Sequence, residues 1–341
     1  MTTLIMELPT THADHLVLAS ESEMRALVFI APGTTRITLS GLGNEILVTP
    51  DGQTVRSTQF TTYPVPEAHL AAVADKILDR VKRLGPGIRI AEVGVAVAGQ
   101  VNADRTRITS AGSLTKTGWR GYPVAAELRT RLASVSVNPQ TGPRVRLVND
   151  AVARARWESL HHPVAAGSPF FALYWGVGIG LAMSNPPDIS GTIRVTPYEF
   201  GHAELPARFA ERRVPCDCGG YGHLEAWAGG GHLGNGLIGR ARLSSQDLTS
   251  KSNRDRWTYV VQPVAAALAH LLAETPVPYV VLGGQRALEM HPHIRMLLPV
   301  LLTEELQRVA SSIAPPDVVP SQLYLAPAFT AGTAFDARFA E

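Results

Sequence analysis

Thirty residues, Tyr198 to Trp227, constrain this chain more than any other stretch: YEFGHAELPARFAERRVPCDCGGYGHLEAW. They carry both of its cysteines, Cys216 and Cys218, between His202 and His223. A Cys-x-Cys pair is too tight for a comfortable disulfide, which needs a set separation and orientation of the two Cβ atoms. The same spacing suits two thiolates on one ion. With His202 and His223 it completes a tetrahedral Cys₂His₂ set, the ligand mix and count of a closed structural zinc site. The alternative is a glycine-rich loop with two idle thiols. A zinc hydrolase is disfavoured, because four protein ligands leave no open position for an activated water.

Around this knuckle the chain reads as α/β. From Arg25 the runs RALVFIA, TRITLSGL and TVRSTQFTTY predict strands separated by Pro-Gly, Gly-Asn and Pro-Asp-Gly turns. PEAHLAAVADKILDRVKRL predicts an amphipathic helix behind a Pro-Glu start. A buried strand (IAEVGVAVAG), a helix (YPVAAELRTRLA), a strand (RVRLVND) and a helix (AVARARWESLHH) follow. A second lobe starts with PFFALYWGVGIGLAMS, two apolar runs about a glycine turn, and reaches the helix TYVVQPVAAALAHLLAET and the strand PYVVLGG. The expected division is 1–158 for a small N-terminal lobe and 159–327 for a larger lobe with the zinc knuckle. A closing helix over 328–341 packs back on the first lobe. Residues before about Glu23 read as a loosely ordered extension. With 341 residues, 45% of them apolar, the chain can bury two cores.

The order E-x-G-H followed by C-x-C-G-x-x-G-C-x-E resembles the signature of the ROK family (repressor, open reading frame, kinase). Here it stands as Glu199-Phe-Gly-His202 and Cys216-Asp-Cys-Gly-Gly-Tyr-Gly-His223-Leu-Glu225, with His223 where the family usually has a third cysteine. Zinc accepts imidazole as readily as thiolate. The resemblance runs from about Ala26 to about Gly332 and implies the two-lobed, actin-like and hexokinase-like ATPase fold with a central cleft. It implies that Glu199, His202 and Glu225 hydrogen-bond sugar hydroxyls, His202 also ligating zinc.

Other matches follow the same resemblance. Asn149-Asp150 corresponds to the pair that binds the sugar, Asp150 being the base that takes the proton of the attacking hydroxyl. Asn and Asp are also the preferred caps for a helix starting there. Gly176-Val177-Gly178-Ile179-Gly180 resembles the family's second phosphate loop, with Val177 in place of a hydroxyl residue, though a tight turn between core strands accounts for it equally. Gly283-Gly284 resembles the adenosine-side glycine pair or serves a plain strand-to-helix turn. The first phosphate loop aligns as Ala31-Pro-Gly33-Thr34-Thr35-Arg36. Gly33, Thr34 and Thr35 survive for the nucleotide, but Ala31 replaces the carboxylate that helps hold magnesium. On the substrate side Gly99 is kept and Ser113 stands in for a sugar-contacting Asn. Trp119 reads as a packing residue at the lobe junction.

The resemblance implies an ATP- and magnesium-dependent kinase of a hexose, amino sugar or cyclitol, with structural zinc. The alternative is a non-catalytic sugar-binding regulator with a decayed nucleotide site. Only about 25 residues precede the first strand, too few for the winged helix-turn-helix of the family's regulators. A net charge of +2 gives no argument for nucleic-acid binding. The N-terminus has neither a basic start nor a long apolar run, so no signal peptide or membrane anchor is expected. The cytoplasm is the expected compartment, and the family suggests a homodimer or homotetramer.

Overall fold

The computed structural model describes residues 16–18, 23–31, 33–41, 46–48, 58–110, 114, 118–230, 251–284, 292–321 and 338. Its first strands are β1 (Leu16–Leu18), β2 (Glu23–Ala31), β3 (Thr34–Gly41), β4 (Ile46–Val48) and β5 (Thr58–Phe60). After them come α1 (Pro66–Leu84), β6 (Arg89–Val97), the short hairpin β7 (Gln100–Val101) and β8 (Ile108–Ser110), α2 (Val124–Leu132) and β9 (Arg144–Asn149). The sheet order is β1-β4-β3-β2-β6-β9, with β5 on the flank of β3. Residues 16–18 correct the expectation of a loose extension, because β1 pairs in parallel with β4. The expected helix over 328–341, Ser113 and the Gly-Asn and Pro-Asp-Gly turns lie outside the described residues, Arg338 excepted.

The apolar run of β2 is buried on both faces. Met24, Ala26, Val28 and Ile30 enter the core under α1 and α2, while Leu27 and Phe29 enter a second cluster with Val148, Val152 and Ala153. Successive strand side chains point to opposite faces, so a continuous apolar run has to be covered twice. Proline opens α1, where a missing N–H costs nothing. Its stripe Leu70, Val73, Ala74, Ile77, Val81 and Leu84 supplies the cover. At the strand ends remote from the cleft, Glu92 on β6 takes Arg25 of β2 at 2.5 Å and pairs with Arg144 of β9.

α3 (Asp150–His161) leads into the second sheet: β10 (Phe170–Trp175), β11 (Ile179–Ser184), β12 (Val195–Tyr198), then α4 (Leu224–Ala228), α5 (Lys251–Glu274), β13 (Tyr279–Gly283), α6 (Pro292–Val309) and β14 (Asp317–Pro320). The order is β12-β11-β10-β13-β14. Phe171, Leu173 and Trp175 face α5 and α6; Phe170, Ala172 and Tyr174 face α3. The two sheets therefore share one helix. α3 gives Val152 and Ala153 to the first and Ala151 and Ala155 to the second. No described helix is long and apolar enough to cross a membrane.

Candidate active site

The four expected metal donors lie together. One ligand atom from each of His202, Cys216, Cys218 and His223 falls within 4.8 Å of the others. His202 ends a short 3₁₀ turn after β12, and His223 stands at the head of α4. Between them the Cys216 N–H donates to Gly220 O at 2.9 Å and the Gly219 N–H to Cys216 O at 3.0 Å, closing the knuckle. Cys218 Sγ is 3.2 Å from His223 Nδ1, and Cys216 Sγ 3.9 Å from His202 Nδ1. Burial pushes the Cys216 thiol up to about 11, so an ion binding here must displace its proton. Two soft thiolates and two imidazoles at this separation fit zinc.

Two of the residues expected on the sugar side, Asn149 and Asp150, sit where β9 gives way to α3. Asn149 is the cap: its Oδ1 accepts from the Val152 N–H at 3.0 Å, and its Nδ2 donates to Gly99 O at 2.9 Å. The capping role is therefore realised, and the same amide fastens the loop after β6 to the start of α3. Asp150 is half-buried beside it. Burial pushes its carboxyl up; Arg154 and backbone N–H groups of the first turn pull it down, and Glu199 adds a further upward push. Asp150 and Glu199 are thus close enough to sense each other's charge. Glu199 accepts from Gln100 Nε2 at 2.7 Å.

Glu225 faces the second glycine turn. Its Oε2 accepts from the Ile179 N–H at 3.1 Å. Any side chain at Gly178 would collide with that oxygen, and one at Gly201 would meet it at 3.1 Å. Only glycine admits this approach. The Gly176 N–H donates to Gly178 O and the Gly230 N–H to Gly176 O, each at 2.9 Å, so the turn is stitched to the end of α4 with Val177 exposed at its tip. Gly180 packs on Ala151 of α3. At Gly284, φ is +96° and an added Cβ would lie 2.5 Å from Trp175 O; the strand end of β13 needs glycine there to lie flush on β10. Gly283 is likewise pressed against the Tyr174 ring.

At the first glycine turn the structure departs from the simple expectation. Gly33 and Thr34 sit at the β2–β3 corner, but Thr35 is fully buried. The Tyr63 N–H donates to His69 Nδ1 at 3.2 Å, which leaves the ring proton on Nε2, 3.0 Å from Thr35 Oγ1. Thr35 then donates to Thr62 at 2.8 Å, and Thr62 to Ala31 O at 2.7 Å. The Thr35 hydroxyl is used inside the lobe, while the Thr34 hydroxyl has no hydrogen-bond partner among the described residues. Ala31 offers no side-chain oxygen to a magnesium ion. Trp119 is wholly buried in the first core against His69, away from the lobe junction. Two residues escaped the motif reading, Gln100 and Arg154. Gln100 follows Gly99 directly, the one local sign available; Arg154 shows only a helical position one turn after Asp150.

Two α/β sheets, each ending in a glycine turn beside a shared helix, make up the two-lobed, hexokinase-like fold. A glucokinase from Streptomyces griseus, solved with glucose and AMPPNP, superposes with a TM-score of 0.63 at 17% identity, covering 91% of this chain and 97% of that one. A Balamuthia mandrillaris glucokinase bound to glucose gives 0.66 at 15% identity, with 92% and 93% covered. A ROK family transcriptional regulator, a homologue of the E. coli MLC protein, gives 0.65 at 16% identity, with 92% and 78% covered. The model of the ROK family matches residues 33–321, and the chain belongs to that family. In sequence, a glucokinase of Pyrobaculum calidifontis is 26% identical over 183 residues, 50% of this chain and 59% of its own length. The chain thus spans about three-fifths of that curated relative.

Proposed function

We propose that the protein transfers the γ-phosphoryl group of ATP to a hydroxyl of a hexose or hexose-like ring, an amino sugar or cyclitol included. The substrate oxygen forms the new bond to phosphorus, the bond from phosphorus to the β,γ-bridging oxygen breaks, ADP leaves, and Asp150 takes the hydroxyl proton. The observation that carries this reading is Asp150 at the head of α3, within electrostatic reach of Glu199 and beside an Asn149–Gly99 hydrogen bond. Phosphoryl transfer asks mainly for positioning, charge neutralisation and such a base. Gly99, Asn149, Glu199, His202 and Glu225 would hold the ring, with Ser113 nearby in the sequence pattern. Gly33, Thr34, Thr35, Gly176, Val177, Gly178, Gly180, Gly283 and Gly284 would line the nucleotide side.

His202, Cys216, Cys218 and His223 would hold a zinc ion, which supplies bracing for the wall that presents Glu199 and Glu225. At Ala31 the residues do not fit a magnesium ligand set, so the metal of the nucleotide has no first-loop carboxylate here. By chain segment, residues 1–158 and 159–327 make up the two lobes in this reading, with α3 at their boundary packed mainly on the second sheet; the reading sets the protein in the cytoplasm as a homodimer or homotetramer.

A second reading, a sugar sensor without catalysis, is favoured by Ala31 and by the regulator's shared fold. Incubating the protein with ATP, magnesium and a panel of hexoses, amino sugars and cyclitols separates the two. Sugar-dependent ADP release that disappears in Asp150→Ala supports the kinase. Sugar binding with no ATP affinity and no ADP overturns it.

A further inference from the structure

His69 sits on α1, wholly buried in the first core. Phe60 stacks on its ring with centroids 5.4 Å apart, and Tyr63 and Trp119 meet it edge-on at 5.8 and 5.6 Å. Both ring nitrogens are engaged, Nδ1 as acceptor from Tyr63 and Nε2 as donor to Thr35. Thr62 gives its one hydroxyl proton to Ala31 O, so the proton between the two threonines is that of Thr35. The bonds therefore run one way, from the Tyr63 N–H through His69, Thr35 and Thr62 to the carbonyl of Ala31. Each member has a single proton to give at its link, and a break anywhere leaves a buried or half-buried group unpaired.

The chain of bonds ends at the corner between β2 and β3. Those strands stay paired as far as Ala31 opposite Thr34, and Gly33 turns between them with φ +74°. From the other side the Ala98 N–H donates to Ile30 O at 3.0 Å. The carbonyls of the last two residues of β2 are thus both held, while the buried Thr34 hydroxyl has no partner among the described residues. With alanine at 31, the carbonyl is the only oxygen of that residue, and the chain of bonds sets its direction.

We propose that His69 is a positioning residue for nucleotide binding: through Thr35 and Thr62 it fixes the carbonyl of Ala31, and with it the Gly33–Thr34 corner that receives the phosphates. This rests on the reading of that corner as part of the nucleotide side. His69 acts from the core, without touching the ligand, and holds the corner in the shape that offers the Thr34 hydroxyl and the backbone beside it. The sugar-side carboxylates Glu199 and Glu225 stand in the second lobe, at the turn after β12 and on α4, outside the reach of these bonds. Loss of a link should therefore weaken the nucleotide and spare the sugar.

The test is calorimetry with AMPPNP and magnesium, and separately with the sugar that the native protein binds most tightly from a panel of hexoses and amino sugars. Thr62→Val keeps the branched shape and removes the hydroxyl. Its nucleotide affinity should fall about five- to tenfold and its sugar affinity stay within about twofold of native. Thr62→Ser should restore the nucleotide. His69→Leu should repeat the loss, and His69→Gln, which can accept from Tyr63 and donate to Thr35, should repair it. Nitrogen-15 NMR of the native protein should show the His69 ring as the Nε2–H tautomer. Should His69→Leu fail to fold, the two Thr62 variants carry the comparison. Unchanged nucleotide affinity in Thr62→Val, a parallel loss of nucleotide and sugar, or an Nδ1–H ring at His69 overturns the proposal. A native protein that binds no nucleotide takes the proposal down together with the kinase reading. If the expected losses appear but no form of the protein, native included, releases ADP with sugar present, the positioning role stands and the kinase reading falls.

Discussion

Gln100 donates to Glu199 across the cleft at 2.7 Å, tying the hairpin beside the first sheet to the turn that follows β12 in the second. A ring hydroxyl that reaches Glu199 has to share this carboxylate with the Gln100 amide. Gln100→Ala should therefore change the sugar KM several-fold with kcat nearly unchanged. Thermal stability should move by no more than about 0.5 kcal/mol, since both side chains are exposed. Steady-state kinetics with calorimetry on the same preparation check this.

Asp150 should show opposite effects on activity and stability. Asp150→Asn should lower kcat by about 10²–10⁴. The folded carboxyl lies above its ordinary value because of burial, so the folded state binds its proton more readily than the unfolded chain. Stability is then lost as pH rises through the folded value, and the neutral Asn should melt higher than the native protein at pH 7. The gap should close as pH falls toward the ordinary carboxylate range of about 4. Melting curves across pH on both proteins decide it.

The knuckle should arrive with its ion. Purified protein should contain about one zinc per chain, and Cys218→Ser or His223→Ala should lower both the metal content and the melting temperature. Elemental analysis paired with thermal melting reads this out. Full metal-free stability in the native protein would remove the bracing role.

Gly178→Ala should cost about 1–3 kcal/mol, because the new methyl collides with Glu225 Oε2 and breaks the Ile179 N–H bond. Adding Glu225→Ala should return part of that cost. A double-mutant cycle with a coupling above about 0.5 kcal/mol is the expected result.

His69 is held down to about 4 by burial. The unfolded chain takes up this proton near pH 6.5 and the folded one does not, so stability should fall as pH drops from about 6.5 to about 4, by about 3 kcal/mol in all. His69→Gln, which can still accept from Tyr63 and donate to Thr35, should flatten that slope in denaturant titrations.

Much of this was legible in the sequence where local rules suffice. α1 begins at Pro66 and stops before Gly85, the proline start and glycine stop that helix ends favour, with an apolar stripe between. β2, β6 and β10 announced themselves as largely apolar runs too short for helices, and β9 as a short strand of alternating arginine and valine running into Leu-Val. The donor set of the knuckle was readable because its members are near in sequence and chemically unusual. What stayed hidden is made by distance in the chain. β1 is three residues whose strand character comes from pairing with β4. Thr35 looked like a phosphate contact until the fold brought His69 and Thr62 against it. Gln100 gains meaning only from Glu199 in the turn after β12, and Arg154 only from rings on both sheets, Phe29 and Tyr174.

α3 springs from β9 yet packs more extensively on β10, β11 and β12. Asp150 consequently rides on the same body as Glu199 and Glu225. If the two halves swing, these three carboxylates behave as an anvil, and Gly99, Gln100 and the β2–β3 corner descend on it as the jaw. Choice among rings then belongs to the stationary half, and shutting out bulk water belongs to the half that travels.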